Sequence, residues 1–369
     1  MPQKISNTFQ FIINTLAIAL VITILLFAVF PEMRQNNVLW QAVFSGSEPE
    51  RKPISYAKAV ANAAPAVVNI YTEGFEIDQR FYNNKRAIQT LGSGVIVSDN
   101  GFILTAEHVV KNAELIWVAL QDGRTFEAQL IGSDPYTDLA VLYVQSENLP
   151  VVPIDPNLTS QAGDLVLAIG NPYNLGQTIT QGIVSATGRA GLSSNYADFI
   201  QMDAAINDGN SGGALVDSDG YLVGINSFNY ASARRNNQAQ GIFFAVPAKL
   251  ALTILKKIAK NGRVVRGYLG LSGKETYVQT SADLMTPVGI IVTMVEPGGP
   301  ADKAGIIPND IILEIDGQAI TGRTQTLDLI AETKPGTVLP VTIMRKGAQM
   351  SLKVTISELP SYTPAPSSP

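Results

Sequence analysis

From Phe9 to Phe30 the chain carries no charged residue, and Phe11–Phe30 is apolar apart from Asn14, Thr15 and Thr23. A helix of about 20 residues spans roughly 30 Å, the thickness of bilayer hydrocarbon. Residues 9–30 are therefore predicted to cross a membrane. The competing reading is a cleaved signal peptide, whose apolar core would run about 7–15 residues and end in small residues. Phe27-Ala28-Val29-Phe30-Pro31 has no small-x-small site, which favours an uncleaved anchor. Lys4 and the α-amino group precede the span, and Glu32 and Arg34 follow it. That bias favours an N-terminus on the cytoplasmic side, with the bulk of the chain on the far side. Residues 1–8 are then a flank, and residues 31–54, polar with Gly46, Pro49 and Pro53, a linker.

Ser55–Ala63 is Ala-rich without strand alternation and is predicted as a short helix ended by Pro65. Val67–Tyr71 reads as a strand. Glu73–Thr90 mixes charges with little periodicity and reads as a loop. From Gly92 onward short β runs alternate with turn signals. Asn100-Gly101, Asp122-Gly123 and Asp219-Gly220 supply the residues that tight hairpins need. This spacing predicts an all-β barrel or sandwich. Pro247 then opens a helix over Ala248–Lys260, in which Ala251, Ile254, Leu255 and Ile258 share one face. Asn261-Gly262 is its stop signal. Residues 263–358 form a second, smaller unit, and residues 359–369 a Pro/Ser-rich tail expected to be disordered.

The 369 residues carry a formal net charge of −5, no nucleic-acid footprint, and no cysteine, so a thiol mechanism is excluded. There is one histidine, His108.

The densest chemical signal is Gly209-Asn210-Ser211-Gly212-Gly213. Glycine at 209 and 212 tolerates positive φ and lets a substrate carbonyl come close. The N–H groups of Gly209 and Ser211, with Asn210 assisting, can converge on one oxygen as an oxyanion hole. The alternative is a plain Gly-rich turn. A serine nucleophile needs a base, and His108 is the one histidine available. A carboxylate must then orient the imidazole, and Asp138, heading the apolar run Leu139–Val144, is the candidate. An acid there is either a solvated turn residue or a buried partner. The order His108, Asp138, Ser211 is that of the chymotrypsin-type triad. No metal or cofactor is required.

Leu91-Gly92-Ser93-Gly94-Val95-Ile96-Val97, Ile103-Leu104-Thr105 leading to His108, Thr137-Asp138-Leu139-Ala140-Val141 and Gly209–Gly213 resemble the HtrA family of serine proteases. The resemblance covers roughly Ser55–Glu358. Gly170–Thr178 and Thr187-Gly188-Arg189 are similar to the family's membrane-anchored regulatory subtype. It implies two perpendicular six-stranded β-barrels over residues 55–262, with the triad in the cleft between them. It places Ala205 at the floor of the S1 pocket, where the absence of an anion implies a small aliphatic P1 residue. Two positions depart from the pattern. Ala106-Glu107 replaces an Asn-containing run before the histidine, and Asp208 stands where proline is common. Asp208 adds negative charge beside the oxyanion site, which bears on basal activity.

Arg266-Gly267-Tyr268-Leu269-Gly270-Leu271 resembles the carboxylate-binding loop of PDZ domains, and four later stretches follow the bacterial PDZ pattern. The backbone N–H groups of Tyr268, Leu269, Gly270 and Leu271 would bind a peptide C-terminus, with the peptide added as a strand beside the helix around Leu327–Ala331. A packing unit with no ligand is the alternative. The resemblance further implies a homotrimer in a bacterial inner membrane facing the periplasm. It implies a resting state with a badly formed oxyanion site, activation by C-termini of misfolded outer-membrane proteins, and Arg189 as a participating loop residue. The substrate would be a membrane-bound regulatory protein such as an anti-sigma factor. A broad quality-control protease or chaperone and an inactive peptide-binding scaffold are the other classes. The single PDZ unit and the anchor favour the regulatory protease, and the intact triad weighs against the scaffold.

Overall fold

The computed structural model describes residues 3–29, 55–78, 84–189, 198–229, 241–279, 285–320 and 322–360. The predicted linker and the Pro/Ser-rich tail beyond Pro360 lie outside the described residues.

Helix α1 (Gln3–Val29) contains Phe9–Leu26, a stretch long and apolar enough to cross a membrane, with no residue buried. The hydroxyls of Thr15 and Thr23 donate to the carbonyls of Phe11 and Ala19, 2.8 Å each. The helix thus supplies the acceptors that lipid lacks.

Helix α2 (Ala57–Ala63) leads through a short turn into the first sheet. Its strands are β1 (Val67–Asp78), β2 (Asn84–Ile96), β3 (Phe102–Thr105), β4 (Ala113–Ala119), β5 (Thr125–Glu127), β6 (Gln129–Asp134) and β7 (Leu139–Tyr143). They pair in the order β5-β4-β1-β2-β3-β7-β6. The family pattern implied six strands and the sheet has seven. One run of chain supplies two strands: Ala128 still follows the β4–β5 ladder, its N–H donating to the Ile116 carbonyl at 2.8 Å, and from Gln129 the chain pairs with β7 instead, as β6. The two ends of the strand order are therefore consecutive in sequence, so the sheet curls back on itself.

Glu73–Asp78 and Asn84–Thr90 are strand and not loop. β1 and β2 form an antiparallel ribbon in register from Val67↔Val95 to Asp78↔Asn84. Glu73, Phe75, Ala87 and Gln89 are all exposed. The opposite face is buried at Thr72 and Gly74, so the alternation is there but is not written in large apolar residues and leaves no hydrophobic period-two signature.

The second sheet is a closed six-stranded barrel, β10-β13-β12-β11-β8-β9. Its members are β8 (Leu165–Gly170), β9 (Thr178–Arg189), β10 (Phe199–Met202), β11 (Ala214–Val216), β12 (Leu222–Asn229) and β13 (Phe243–Pro247). One buried cluster joins the two sheets, including Ile70, Leu104 and Leu142 from the first and Ile169, Phe199 and Phe244 from the second. Helix α3 (Glu107–Val110) follows β3 directly. Helix α4 (Ala248–Asn261) buries Ala251, Ile254 and Ile258 against the same cluster, as its periodicity predicts.

The C-terminal unit holds β14 (Gly267–Tyr268), β15 (Leu271–Gln279), β16 (Met285–Val295), β17 (Ile311–Ile315), β18 (Gln318–Ala319), β19 (Val338–Arg345), β20 (Ala348–Thr355) and β21 (Ser357–Glu358). Two helices accompany them, α5 (Pro300–Lys303) and α6 (Arg323–Glu332). Its separate core contains Leu269, Val292, Ile312, Val341 and Ile343.

The unit is clasped to the β-barrels by charge. The Arg266 guanidinium donates to both oxygens of Asp134 at 2.7 Å each. Both residues are buried, at 6% and 2% exposure. Lys257 on α4 pairs with Glu332 on α6 at 2.6 Å. The Tyr136 hydroxyl donates to the Pro360 carbonyl at 2.9 Å, and the Arg266 guanidinium lies 5.6 Å from the centre of the Tyr136 ring.

Candidate active site

His108 sits on α3, held in place by its buried neighbours Ala106, Val109 and Val110. Asp138 lies between Thr137 and the first residue of β7, with left-handed backbone (φ 55°). The N–H of Glu107 donates to the Asp138 carbonyl at 3.1 Å, and the N–H of His108 to Asp138 Oδ1 at 3.1 Å. Nδ1 of His108 lies 2.9 Å from both carboxylate oxygens. A carboxylate accepts only, so Nδ1 carries the proton and Nε2 presents its lone pair.

Burial is the largest single influence on the His108 pKa and pulls it down. The hydrogen bond and charge of Asp138 oppose it, with the charges of Glu107 and Asp208 adding, and the net shift is upward from 6.5. The imidazole remains reachable, with 44% of its side-chain surface exposed.

Ser211 follows β10 in a tight turn of the second barrel, before β11. Gly209 and Gly212 have φ of 103° and 82°. A Cβ at Gly209 would lie 2.3 Å from the Asn171 carbonyl oxygen, and one at Gly212 would lie 2.2 Å from that of Ser93. Glycine is required at both positions by conformation and by space. The Asn210 N–H donates to the Asn207 carbonyl at 3.0 Å. Among the described residues the N–H groups of Gly209 and Ser211 have no acceptor. Of the three proposed oxyanion donors, Asn210 is thus already engaged and the two flanking ones are free.

Two serines that the motif reading left without a role hold this arrangement together. Ser93 is fully buried; its hydroxyl donates to the Gly209 carbonyl at 2.7 Å and accepts from the Asn171 N–H at 3.0 Å. Its own N–H donates to the Ser211 carbonyl at 2.9 Å. Ser227, 1% exposed, donates its hydroxyl to Asp138 Oδ2 at 2.6 Å. Its carbonyl accepts the Ser211 hydroxyl at 2.9 Å. Ser93 carried a signal in the Gly92-Ser93-Gly94 motif. Ser227 carried none, being one of three polar residues, with Asn226 and Asn229, in β12.

Ala205 is exposed, with its carbonyl accepting from the Thr180 hydroxyl at 2.8 Å. Among the described residues no hydrogen bond ties Ala205 to His108, Asp138 or Ser211. Arg189 ends β9, and its side chain lies outside the described residues. A cavity of about 470 Å³ beside α4 and β10 contains none of the three triad residues. Among the described residues no group of three or more His, Asp and Glu side chains is placed to hold a metal ion.

In the C-terminal unit Tyr268 pairs with Ser357 and Leu271 with Val295. Between them Gly270 is left-handed (φ 73°), and the Leu269 and Gly270 carbonyls accept from Ala301 and Glu296 at 2.9 Å each. Among the described residues the N–H groups of Leu269 and Gly270 have no acceptor. A cavity of about 100 Å³ adjoins them, lined by Leu269, Leu271, Ile290, Leu327 and Ile330.

Residues 92–225 match the trypsin-like peptidase domain, and residues 267–356 match the PDZ domain. The chain is 46% identical over 355 residues to the serine endoprotease DegS of Escherichia coli (strain K12), covering 95% of this chain and 98% of that one. The chain belongs to the HtrA family of serine proteases. Within that family it is DegS-like, and it is a serine endopeptidase. Two solved structures agree. A serine endoprotease from Yersinia pestis is 48% identical with a TM-score of 0.68, over 84% of this chain and 99% of that one. The HtrA-type protease AlgW with decapeptide is 41% identical with a TM-score of 0.73, over 84% of this chain and 100% of that one. In this HtrA protease the charges of Glu107 and Asp208 both act on His108 and raise its proton affinity.

Proposed function

We propose that the chain is a membrane-anchored regulatory protease whose PDZ unit controls the active site. His108 takes the proton of Ser211 as Ser211 Oγ attacks a peptide carbonyl. Asp138, with Ser227 behind it, holds the imidazole and stabilises its charged form. The N–H groups of Gly209 and Ser211 receive the oxyanion, and His108 then protonates the leaving amine. Removing one such donor costs on the order of 2.7–4 kcal/mol of transition-state stabilisation.

The observation that carries the regulatory reading is the Arg266–Asp134 pair. Arg266 immediately precedes the carboxylate-binding loop, and Asp134 begins the turn that ends at Asp138. The Asp134 carboxylate also accepts the Thr137 hydroxyl at 2.5 Å. A peptide whose carboxylate is taken by Leu269 and Gly270 therefore binds three to four residues along the chain from a clasp on the triad's own turn. The Ser211 hydroxyl, engaged by the Ser227 carbonyl, supports a latent enzyme that must turn that side chain before it can react. The peptide activates only by binding the active state more tightly than the latent one. AlgW was solved with a decapeptide, which fits a peptide ligand here.

The same reading assigns C-termini of misfolded outer-membrane proteins as activators and a membrane-bound anti-sigma factor as substrate. It places a homotrimer in the inner membrane facing the periplasm. The test is cleavage-site mapping on membrane extracts with the full-length protein and its Ser211→Ala variant. The expected result is Ser211-dependent cuts confined to a few membrane-bound regulatory proteins. Cuts spread over many unfolded proteins would point to general quality control.

A further inference from the structure

The turn that carries the oxyanion donors is tied at three successive carbonyls. The Asp208 carbonyl accepts from the Tyr173 N–H at 3.0 Å, and the Asn210 carbonyl from the Gly213 N–H at 3.0 Å. Between them the Gly209 carbonyl accepts from the Ser93 hydroxyl at 2.7 Å. This middle tie is the one made by a side chain, and it comes from the other sheet, since Ser93 lies in β2. The Ser93 hydroxyl has a second neighbour, the Asn171 N–H at 3.0 Å, which can only donate. The Ser93 proton is therefore directed at Gly209. The Ser93 backbone is held as well. Its N–H donates to the Ser211 carbonyl at 2.9 Å, and its carbonyl accepts from the buried Thr105 hydroxyl at 2.7 Å.

We propose that Ser93 is a positioning residue for the oxyanion hole: its hydroxyl sets the aim of the Gly209 and Ser211 N–H groups through the carbonyl that lies between them. This rests on the reading of those groups as the oxyanion donors and of Ser211 as the nucleophile. Gly209 has no Cβ and a left-handed backbone (φ 103°), so hydrogen bonds and not side-chain packing fix the turn. Gly209 is buried, and among the described residues its carbonyl has no donor besides Ser93. A buried carbonyl deprived of its donor is costly and turns toward another. Rotating the Gly209–Asn210 peptide to find one shifts the N–H groups on either side of it. The contacts that hold His108 and Asp138 do not involve Ser93, so the base stays in place. Removing an oxyanion donor outright costs about a hundredfold to a thousandfold in kcat, so donors present but misaimed should cost about tenfold to a hundredfold.

The test compares the full-length protein in detergent with its Ser93→Ala and Ser93→Cys variants, the second keeping the shape with a weaker donor. Each is titrated with a fluorophosphonate, so that rates are expressed per reactive serine. Each is then assayed with one peptide substrate and with the matching peptide aldehyde, whose adduct places its oxygen in the hole. In Ser93→Ala, kcat per titrated site should fall about tenfold to a hundredfold with KM little changed. Affinity for the aldehyde should fall by a similar factor, and the ascending limb of the pH–rate profile should stay where it is. Ser93→Cys should fall between Ser93→Ala and the wild type. Wild-type kcat per titrated site in both variants, with any loss explained by fewer titratable sites, would overturn the inference. A fall in kcat with unchanged aldehyde affinity, or with a shifted limb, would overturn it too. The Ser211→Ala variant separates the two readings: cleavage that persists in it would count against the site itself and not against the positioning by Ser93.

Discussion

Ser227 donates its hydroxyl to Asp138 Oδ2 at 2.6 Å across the junction of the two β-barrels. With the His108 contacts, this bond orients the carboxylate. Ser227→Ala removes a hydrogen bond to a charged, mostly buried acceptor, a loss of about 1.5–3 kcal/mol. The expected outcome is a fall in kcat of roughly tenfold to a hundredfold with KM little changed. Ser227→Thr, which keeps the hydroxyl, should recover most of it. Steady-state kinetics on one peptide substrate checks both.

Ser211→Ala should abolish proteolysis and leave the fold intact, because among the described residues the side chain's one hydrogen bond is to the Ser227 carbonyl. Purified variant with wild-type turnover would remove Ser211 from the mechanism, and a circular-dichroism melt checks the fold.

The pH dependence of the rate carries a sign that can be worked out. Only neutral His108 can accept the Ser211 proton, so activity is lost as pH falls through the imidazole pKa. That pKa is raised from 6.5, so the ascending limb should have its midpoint above 6.5 instead of at or below it. Asp208→Asn and Glu107→Gln each remove a negative charge that favours the imidazolium, and each should move the limb to lower pH. His108→Ala should lose the limb together with the activity. A limb that stays in place in both charge variants would contradict the electrostatic account.

The buried Arg266–Asp134 pair should be costly to break from one side. Arg266→Leu or Asp134→Asn leaves an uncompensated buried group, and each should destabilise the protein by about 3–5 kcal/mol. The double variant should lose much less than the sum of the two. Urea unfolding of the four proteins in a double-mutant cycle measures the coupling.

How much of this was legible beforehand differs by residue. His108, Asp138 and Ser211 could be found because each stands in a motif with its own local signature. The face of α4 was found because its period is 3.6. Ser227 escaped because its role depends on a residue 89 positions away. The Arg266–Asp134 clasp escaped for the same reason, at a separation of 132. The β1–β2 ribbon escaped because its buried positions there are Thr72 and Gly74, which mark no apolar alternation. The resemblance implied six strands in the first sheet; the run Thr125–Asp134 changes partner from β4 to β7 after Ala128, and that makes seven.

The central claim is that a peptide carboxylate at Leu269 and Gly270 governs a serine protease through the clasp at Arg266. Truncation after Lys260 tests it less cleanly, because it also removes Arg266 and leaves Asp134 buried without its partner. The most direct measurement uses the full-length protein in detergent and compares cleavage rates with a free-acid activating peptide and with the same peptide amidated at its C-terminus. The account predicts strong activation by the acid and little by the amide, with both responses absent in Ser211→Ala. Equal activation by acid and amide would contradict it.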